Sequence, residues 1–205
     1  MLKKKNGGTI LNHLILASSS PRRKELLEQA GFVFQIRTSN VDEEAIQLLN
    51  PRKLVESLAV WKGEAVPIQS DEVIVSADTV VSLGNRILTK PKNKAHAMQM
   101  LSSLNGRKHD VYTGVMIRSK NIRTVFSVAT SVTFWNHSKE DLLRYVESGE
   151  PMDKAGGYGI QGMGAFLVKE IVGDYYNVVG LPISSLSRKL KEFDIYPSRF
   201  TTINS

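Results

Sequence analysis

Short apolar runs alternate with helical patterns along the chain. Leu14-Ile15-Leu16-Ala17 is an uninterrupted apolar run of strand length. Ser20 followed by Pro21 has the signature of an N-cap and first helical position, and Gly31 is the matching stop. Phe32 to Arg37 alternates as a strand and leads into an acidic loop, Asp42-Glu43-Glu44. Asn50-Pro51 repeats the helix-start signal, and the helical pattern runs to about Val66. Glu72 to Leu83 is a long β-branched run. Gly84-Asn85 is a tight-turn dipeptide after it, and Arg86 to Lys90 is its hairpin partner.

The second half continues in the same manner. A helix is predicted from Asn93 to Leu104 with Gly106 as its stop, then strands over Asp110 to Arg118 and Ile122 to Trp135. Ser138-Lys139-Glu140-Asp141 resembles a capping box opening a helix that Gly149 closes. A glycine-rich loop from Glu150 to Gly164 follows. Strands over Ala165 to Val172 and Tyr175 to Val179 are predicted next, separated by a Gly173-Asp174 turn, and a last helix after Pro182. This mixture predicts an α/β fold with a mixed twisted sheet flanked by helices.

The chain has 205 residues, enough for about one domain with a full core. With no cysteine, disulfide scaffolds, zinc ribbons and thiol nucleophiles are excluded. No window approaches the ~18 apolar residues of a membrane span. Met1 to Lys5 imitates the start of a signal peptide, but Asn12 and His13 break the apolar run behind it. The expected organisation is therefore a flexible basic tail over 1–12, a single domain over 13–196 and a C-terminal tail over 197–205, in a cytoplasmic protein. The net charge of +7 suits an anionic ligand, nucleotide or nucleic acid.

Four features bear on chemistry. Ser18-Ser19-Ser20-Pro21-Arg22-Arg23 places two arginines in the first turn of a helix, where acidic residues normally sit. An anion such as phosphate would reconcile them, unless they pair with Glu25 or Glu28. Lys62 falls near the centre of the apolar arc made by Leu54, Val55, Leu58, Ala59, Ala65 and Val66, so it must snorkel or meet an anion. Asp78 interrupts the β-branched run, and the hairpin returns Lys90 to within about one residue of it. An Asp–Lys structural pair and a cationic pocket around one carboxylate both fit. Asp42-Glu43-Glu44 could complete a Mg²⁺ site with it. Gly157 to Gly162 matches G-x-G-x-x-G literally, but a helix precedes it and a strand follows, so dinucleotide binding is rejected. What remains is a loop able to approach a ligand, with Lys154 for phosphate and Gln161 for a base edge. The four histidines lack metal-ligand spacing, and nucleophile-elbow and Walker A motifs are missing.

Six segments, in order, together resemble the Maf family of nucleoside triphosphate pyrophosphatases. They are Ala17 to Arg23, Ser76 to Val81, Lys90-Pro91, Gly106-Arg107 through Val111 to Gly114, Glu150 to Gly162, and Asp174 to Pro182. The resemblance implies an elongated, two-lobed fold of the inosine-triphosphate-pyrophosphatase type with a central cleft. It implies Mg²⁺- or Mn²⁺-dependent cleavage between the α- and β-phosphates, with Asp78 as general base. Lys62 and Lys90 complete the catalytic expectation and, with Arg22, Arg23 and Lys154, would hold the triphosphate. Ser18, Arg22, Arg23, Thr79, Lys154 and Gln161 would bind substrate. Arg22, Thr79 and Gln161 match the subgroup associated with dTTP and UTP rather than 7-methyl-GTP, and modified pyrimidine nucleotides stay open. Asp78, Asp42 and Glu43 are the metal-binding expectation. Asn40 stands where some relatives carry Glu, which leaves open which acidic-loop residue touches the metal. The implied partner is the nucleoside triphosphate, with no membrane and with nucleic acid disfavoured; a homodimer is left open. The competing class is a nucleotide- or nucleic-acid-binding regulator, related to septum formation or cell division, without turnover.

Overall fold

The structure, a computed structural model, describes residues 12–38, 41–42 and 48–198. Nearly all of the two expected tails, and Asn40, Glu43 and Glu44 of the acidic loop, lie outside the described residues. The strands are β1 (His13–Leu16), β2 (Phe34–Ile36), β3 (Glu72–Leu83), β4 (Arg86–Leu88), β5 (Lys108–Arg118), β6 (Arg123–Phe134) and β7 (Val168–Val172). The helices are α1 (Pro21–Gln29), α2 (Pro51–Glu64), α3 (Lys94–Leu104), α4 (Lys139–Glu147), α5 (Tyr175–Val179) and α6 (Ile183–Leu190). One mixed sheet runs in the order β2-β1-β3-β5-β6-β7, with β4 also paired to β3. The expected α/β class with a mixed sheet flanked by helices is what forms. Among the described residues, no helix is long and apolar enough to cross a membrane.

Helix starts follow their capping residues. The side chains of Asn50, Asn93 and Ser138 each accept a backbone N–H from three residues on. Ser20 occupies the N-cap position of α1 but makes no side-chain cap bond. Two segments differ from expectation. Tyr175–Val179 is helical rather than extended, because the Asp174 carboxylate accepts the N–H groups of Tyr176 (2.8 Å) and Asn177 (3.3 Å). A capped first turn thereby overrides the β-favouring composition. The strand predicted from Ala165 begins only at Val168, since Met163–Leu167 forms a 3₁₀ turn whose first N–H groups are taken by Glu150.

Strand β3 is buried along nearly its whole length and organises both layers. Its side chains alternate between faces. Val73, Val75, Ala77 and Val81 join the main core with α1, α3, α4 and α6. Val80 packs instead with Leu54, Val55 and Leu58 of α2. Helix α2 lies unusually close to the sheet. A Cβ on Gly114 of β5 would collide with the Val55 carbonyl, and one on Gly63 of α2 would collide with Met116 and Ser76. Ser76 Oγ seals the approach by donating to the Ala59 carbonyl at 2.6 Å.

At the far end of β5, His109 is buried and its Nε2 lies 2.7 Å from the Tyr158 hydroxyl. Its ring packs edge-on against Phe134 and Tyr158, which contact each other in the same way. Burial pushes the imidazole pKa from 6.5 down to about 4, with the backbone near Arg107 and the charge of Asp110 offsetting only part of this.

Replacing Gly114 with Ala is expected to cost about 1–3 kcal/mol of stability, because backbone and not a flexible side chain stands in the way. Urea unfolding measures it. His109 makes stability fall on acidification: above pH 6.5 it is neutral folded or unfolded, whereas between there and about 4 only the unfolded chain takes the proton. The loss over that window totals roughly 3 kcal/mol. His109→Gln should flatten the decline between pH 6.5 and 4.5; an unchanged slope would remove His109 as its source.

Candidate active site

The site arises where the sheet splits. Strand β5 pairs with one edge of β3 continuously from Ile74 to Ser82. On the other edge β1 pairs with Glu72 to Val75 and β4 with Val81 to Leu83. Ser76 to Val80 therefore face a gap between β1 and β4. A cleft of about 1270 Å³ is lined by Asp78 and Thr79 of that gap, by the chain leaving β1 into α1, by the chain leaving β4, and by the glycine-rich segment. Ligands in open α/β sheets sit at such breaks in strand order, beyond the carboxyl ends of strands.

Asp78 shares the α2-facing side of β3 with Val80, and there Lys62 Nζ donates to its Oδ1. The two side chains are 14% and 9% exposed, lysine first. Lys62 thus meets an anion rather than snorkelling, and Asp78 takes Lys62 as a partner. The hairpin register that pairs Val81 with Leu88 would continue to Lys90 opposite Thr79, but strand pairing ends at Leu88. Lys90 instead lines the cleft as an exposed side chain.

Thr79 points to the opposite face. Its hydroxyl lies 2.9 Å from that of Thr113 and accepts from Arg23 at 3.3 Å. Arg23 also donates to the Gly180 carbonyl (2.9 Å) and to Ser18 Oγ (3.2 Å), so it braces α1, β3 and the end of α5 together. Arg22 reaches across the cleft to Asp153, 2.7 Å to Oδ2 and 3.3 Å to the main-chain oxygen. Both arginines of the first turn are therefore anchored far away in sequence, and it is Lys24 that approaches Glu28.

Glu150 shapes the glycine-rich wall. Its carboxylate accepts the N–H groups of Met163 (2.8 Å) and Gly164 (3.1 Å) and the Tyr145 hydroxyl (3.1 Å). The Tyr145 oxygen in turn accepts the Gly159 N–H. At Gly162 a Cβ would strike the Glu150 carboxylate, so only glycine allows this wrap. The loop so held presents Gln161, exposed, to the cleft. Lys154 Nζ donates to the Glu150 main-chain oxygen (2.6 Å) and to Asp153 Oδ1 (2.8 Å). Partial burial works to raise the Asp153 pKa, but the hydrogen bonds and charges of Lys154 and Arg22 outweigh it and hold the carboxyl below its usual range.

Ser18, Arg22, Arg23, Lys62, Asp78, Thr79, Lys90, Lys154 and Gln161 all line this cleft. Asp42 is exposed, one residue beyond Val41 in its wall, and Glu43 lies outside the described residues. Among the described residues no three His, Asp or Glu side chains gather to hold a metal ion. Glu150 and Asp153 were missed from the sequence as parts of the site. Their signal was two acids beside the single lysine of a glycine-rich segment, which suggests partners without naming them.

The family model for Maf-like proteins matches residues 13–193. A protein of Bacillus anthracis named dTTP/UTP pyrophosphatase is 52% identical over 186 residues, covering 90% of this chain and 97% of its own. One of the same name from Bacillus cereus is 49% identical over 196 residues, covering 95% and 97%. A solved HAM1 protein from Coxiella burnetii aligns over 88% of this chain and 99% of its own at 15% identity, with a TM-score of 0.46. The cleft draws lining residues from all six segments that carry the resemblance, and with the match running nearly end to end, the chain belongs to the Maf-like protein family.

Proposed function

We propose that this protein is a nucleoside triphosphate pyrophosphatase that hydrolyses dTTP and UTP to the monophosphate and pyrophosphate. The observation that carries the chemistry is the Lys62–Asp78 pair set in the wall of a cleft ringed by cations. Relatives sharing about half the sequence over most of its length, and named for this activity, support the substrate. Arg22, Lys90 and Lys154 supply positive charge for the phosphates, and Arg23 holds that wall in place. Thr79 and Gln161 select the base.

In this reading water attacks the α-phosphorus and gives its proton to the Asp78 carboxylate. The bond from that phosphorus to the bridging oxygen breaks, and pyrophosphate leaves with the bonding pair. Lys62, by donating to one oxygen of Asp78, orients the carboxylate towards the reacting centre. Positioning and charge neutralisation account for most of the acceleration in such transfers. The donor set also fits a divalent cation, Mg²⁺ or Mn²⁺. Mg²⁺ is commonly held by one or two carboxylates plus substrate phosphate, and Asp78 is a cleft carboxylate suited to hold it, with Asp42 and Glu43 as further candidates. Such an ion supplies neutralisation of phosphate charge when bound.

The test is a panel of common NTPs and dNTPs plus 7-methyl-GTP, with Mg²⁺ or Mn²⁺ and with products resolved as pyrophosphate or phosphate. Pyrophosphate should come chiefly from dTTP and UTP. Release from other bases would keep the reaction and overturn the selection by Thr79 and Gln161, whereas no turnover would favour the binding-only regulator. Asp78→Asn, nearly isosteric, should lower kcat by about 10²–10⁴, or 3–5 kcal/mol in the barrier, in a protein that still folds. Wild-type turnover in that variant would rule Asp78 out as the base.

A further inference from the structure

Asp153 places a fixed negative charge among the cations assigned to the phosphates. One carboxylate oxygen takes Arg22 from the first turn of α1, and the other takes Lys154 from the glycine-rich wall. Two oxygens accepting from a guanidinium and an ammonium is also what a phosphate would offer the same pair. An anion entering between Arg22 and Lys154 must compete with this carboxylate for their donors.

The carboxylate is not needed to place either cation. Lys154 is already held by the main-chain oxygen of Glu150, and its stem is confined against Gly159, where a Cβ would strike Lys154 Cε. Arg22 has a second acceptor in the main-chain oxygen of Asp153, which any residue at this position provides. The Asp153 side chain is also 59% exposed, so it can swing into water when a ligand takes its partners.

We propose that Asp153 is a resident competitor for phosphate, which lowers the affinity of the cleft for anions and so hastens departure of pyrophosphate. The inference rests on the pyrophosphatase reading, because pyrophosphate is the product left facing these cations once the nucleoside monophosphate separates. Its carboxylate re-forms the pairs with Arg22 and Lys154 as the product leaves. Binding energy spent equally on substrate and product does not raise turnover, so weakening this part of the site favours release.

Calorimetric titration of the whole protein with pyrophosphate in the presence of Mg²⁺, run beside dTTP turnover, tests it. Asp153→Asn keeps the shape and the main-chain acceptor while removing the charge. Pyrophosphate should bind about two- to tenfold more tightly than to wild type, the range expected for releasing partly exposed ion pairs. The KM for dTTP should fall in step, and Asp153→Glu should return both towards wild type. Unchanged or weaker pyrophosphate binding in a variant that keeps the wild-type melting temperature overturns the proposal, as does no pyrophosphate binding by either protein. If Asp153→Asn melts early, Asp153→Ser gives the same reading. Tighter pyrophosphate binding by the variant with no nucleotide turnover by wild type would overturn the assigned reaction and leave the competitor standing.

Discussion

The Lys62–Asp78 pair sets the terms for the rest of the molecule. An ammonium and a carboxylate so largely removed from water are each costly alone, by several kcal/mol, and contact offsets that cost. Contact requires α2 to lie tight on β3 and β5, which Gly63 and Gly114 permit by having no Cβ where backbone and side chains meet. It also requires Asp78 to open onto a cleft and not lie sealed under a neighbouring strand. The gap between β1 and β4 on the same edge of β3 provides that opening. Helix placement, glycine positions and the split edge thus answer one electrostatic demand.

The glycine-rich wall solves a different problem. Its backbone turns back on itself around the Glu150 carboxylate, which accepts two N–H groups and a tyrosine hydroxyl. A carboxylate accepting several such donors is held in one orientation. The ring cluster of His109, Phe134 and Tyr158 meets the same wall, since Tyr158 also lines the cleft. The Glu150 bonds fix the backbone on the far side of Gln161, which is itself exposed to the cleft.

Most of the fold was legible because its signals are local. Proline and asparagine at helix starts, glycine at turns and the β-branched run of β3 each act within a few residues, and the elements formed there. Tyr175–Val179 misled because its composition favours strand, while one capping aspartate with two N–H bonds decided for helix. The site was legible in its unusual residues, a lysine on an apolar face and an aspartate inside a strand, but not in their partners. That Lys62 meets Asp78, or that Arg22 meets Asp153, is set by contacts spanning 16 and 131 positions. Such contacts depend on how α2 and the glycine-rich wall pack, which no short stretch encodes.

Asp78 and Thr79 are adjacent in sequence, yet the pleat of β3 sends them to opposite sides of the sheet. Asp78 meets α2 through Lys62, whereas Thr79 meets Thr113 and Arg23 on the side of α1 and α5. In the reaction proposed above, the chemical step and the choice of base have separate surroundings within two consecutive residues. A change at position 79 alters contacts with Thr113 and Arg23 on one side and leaves the ion pair on the other untouched.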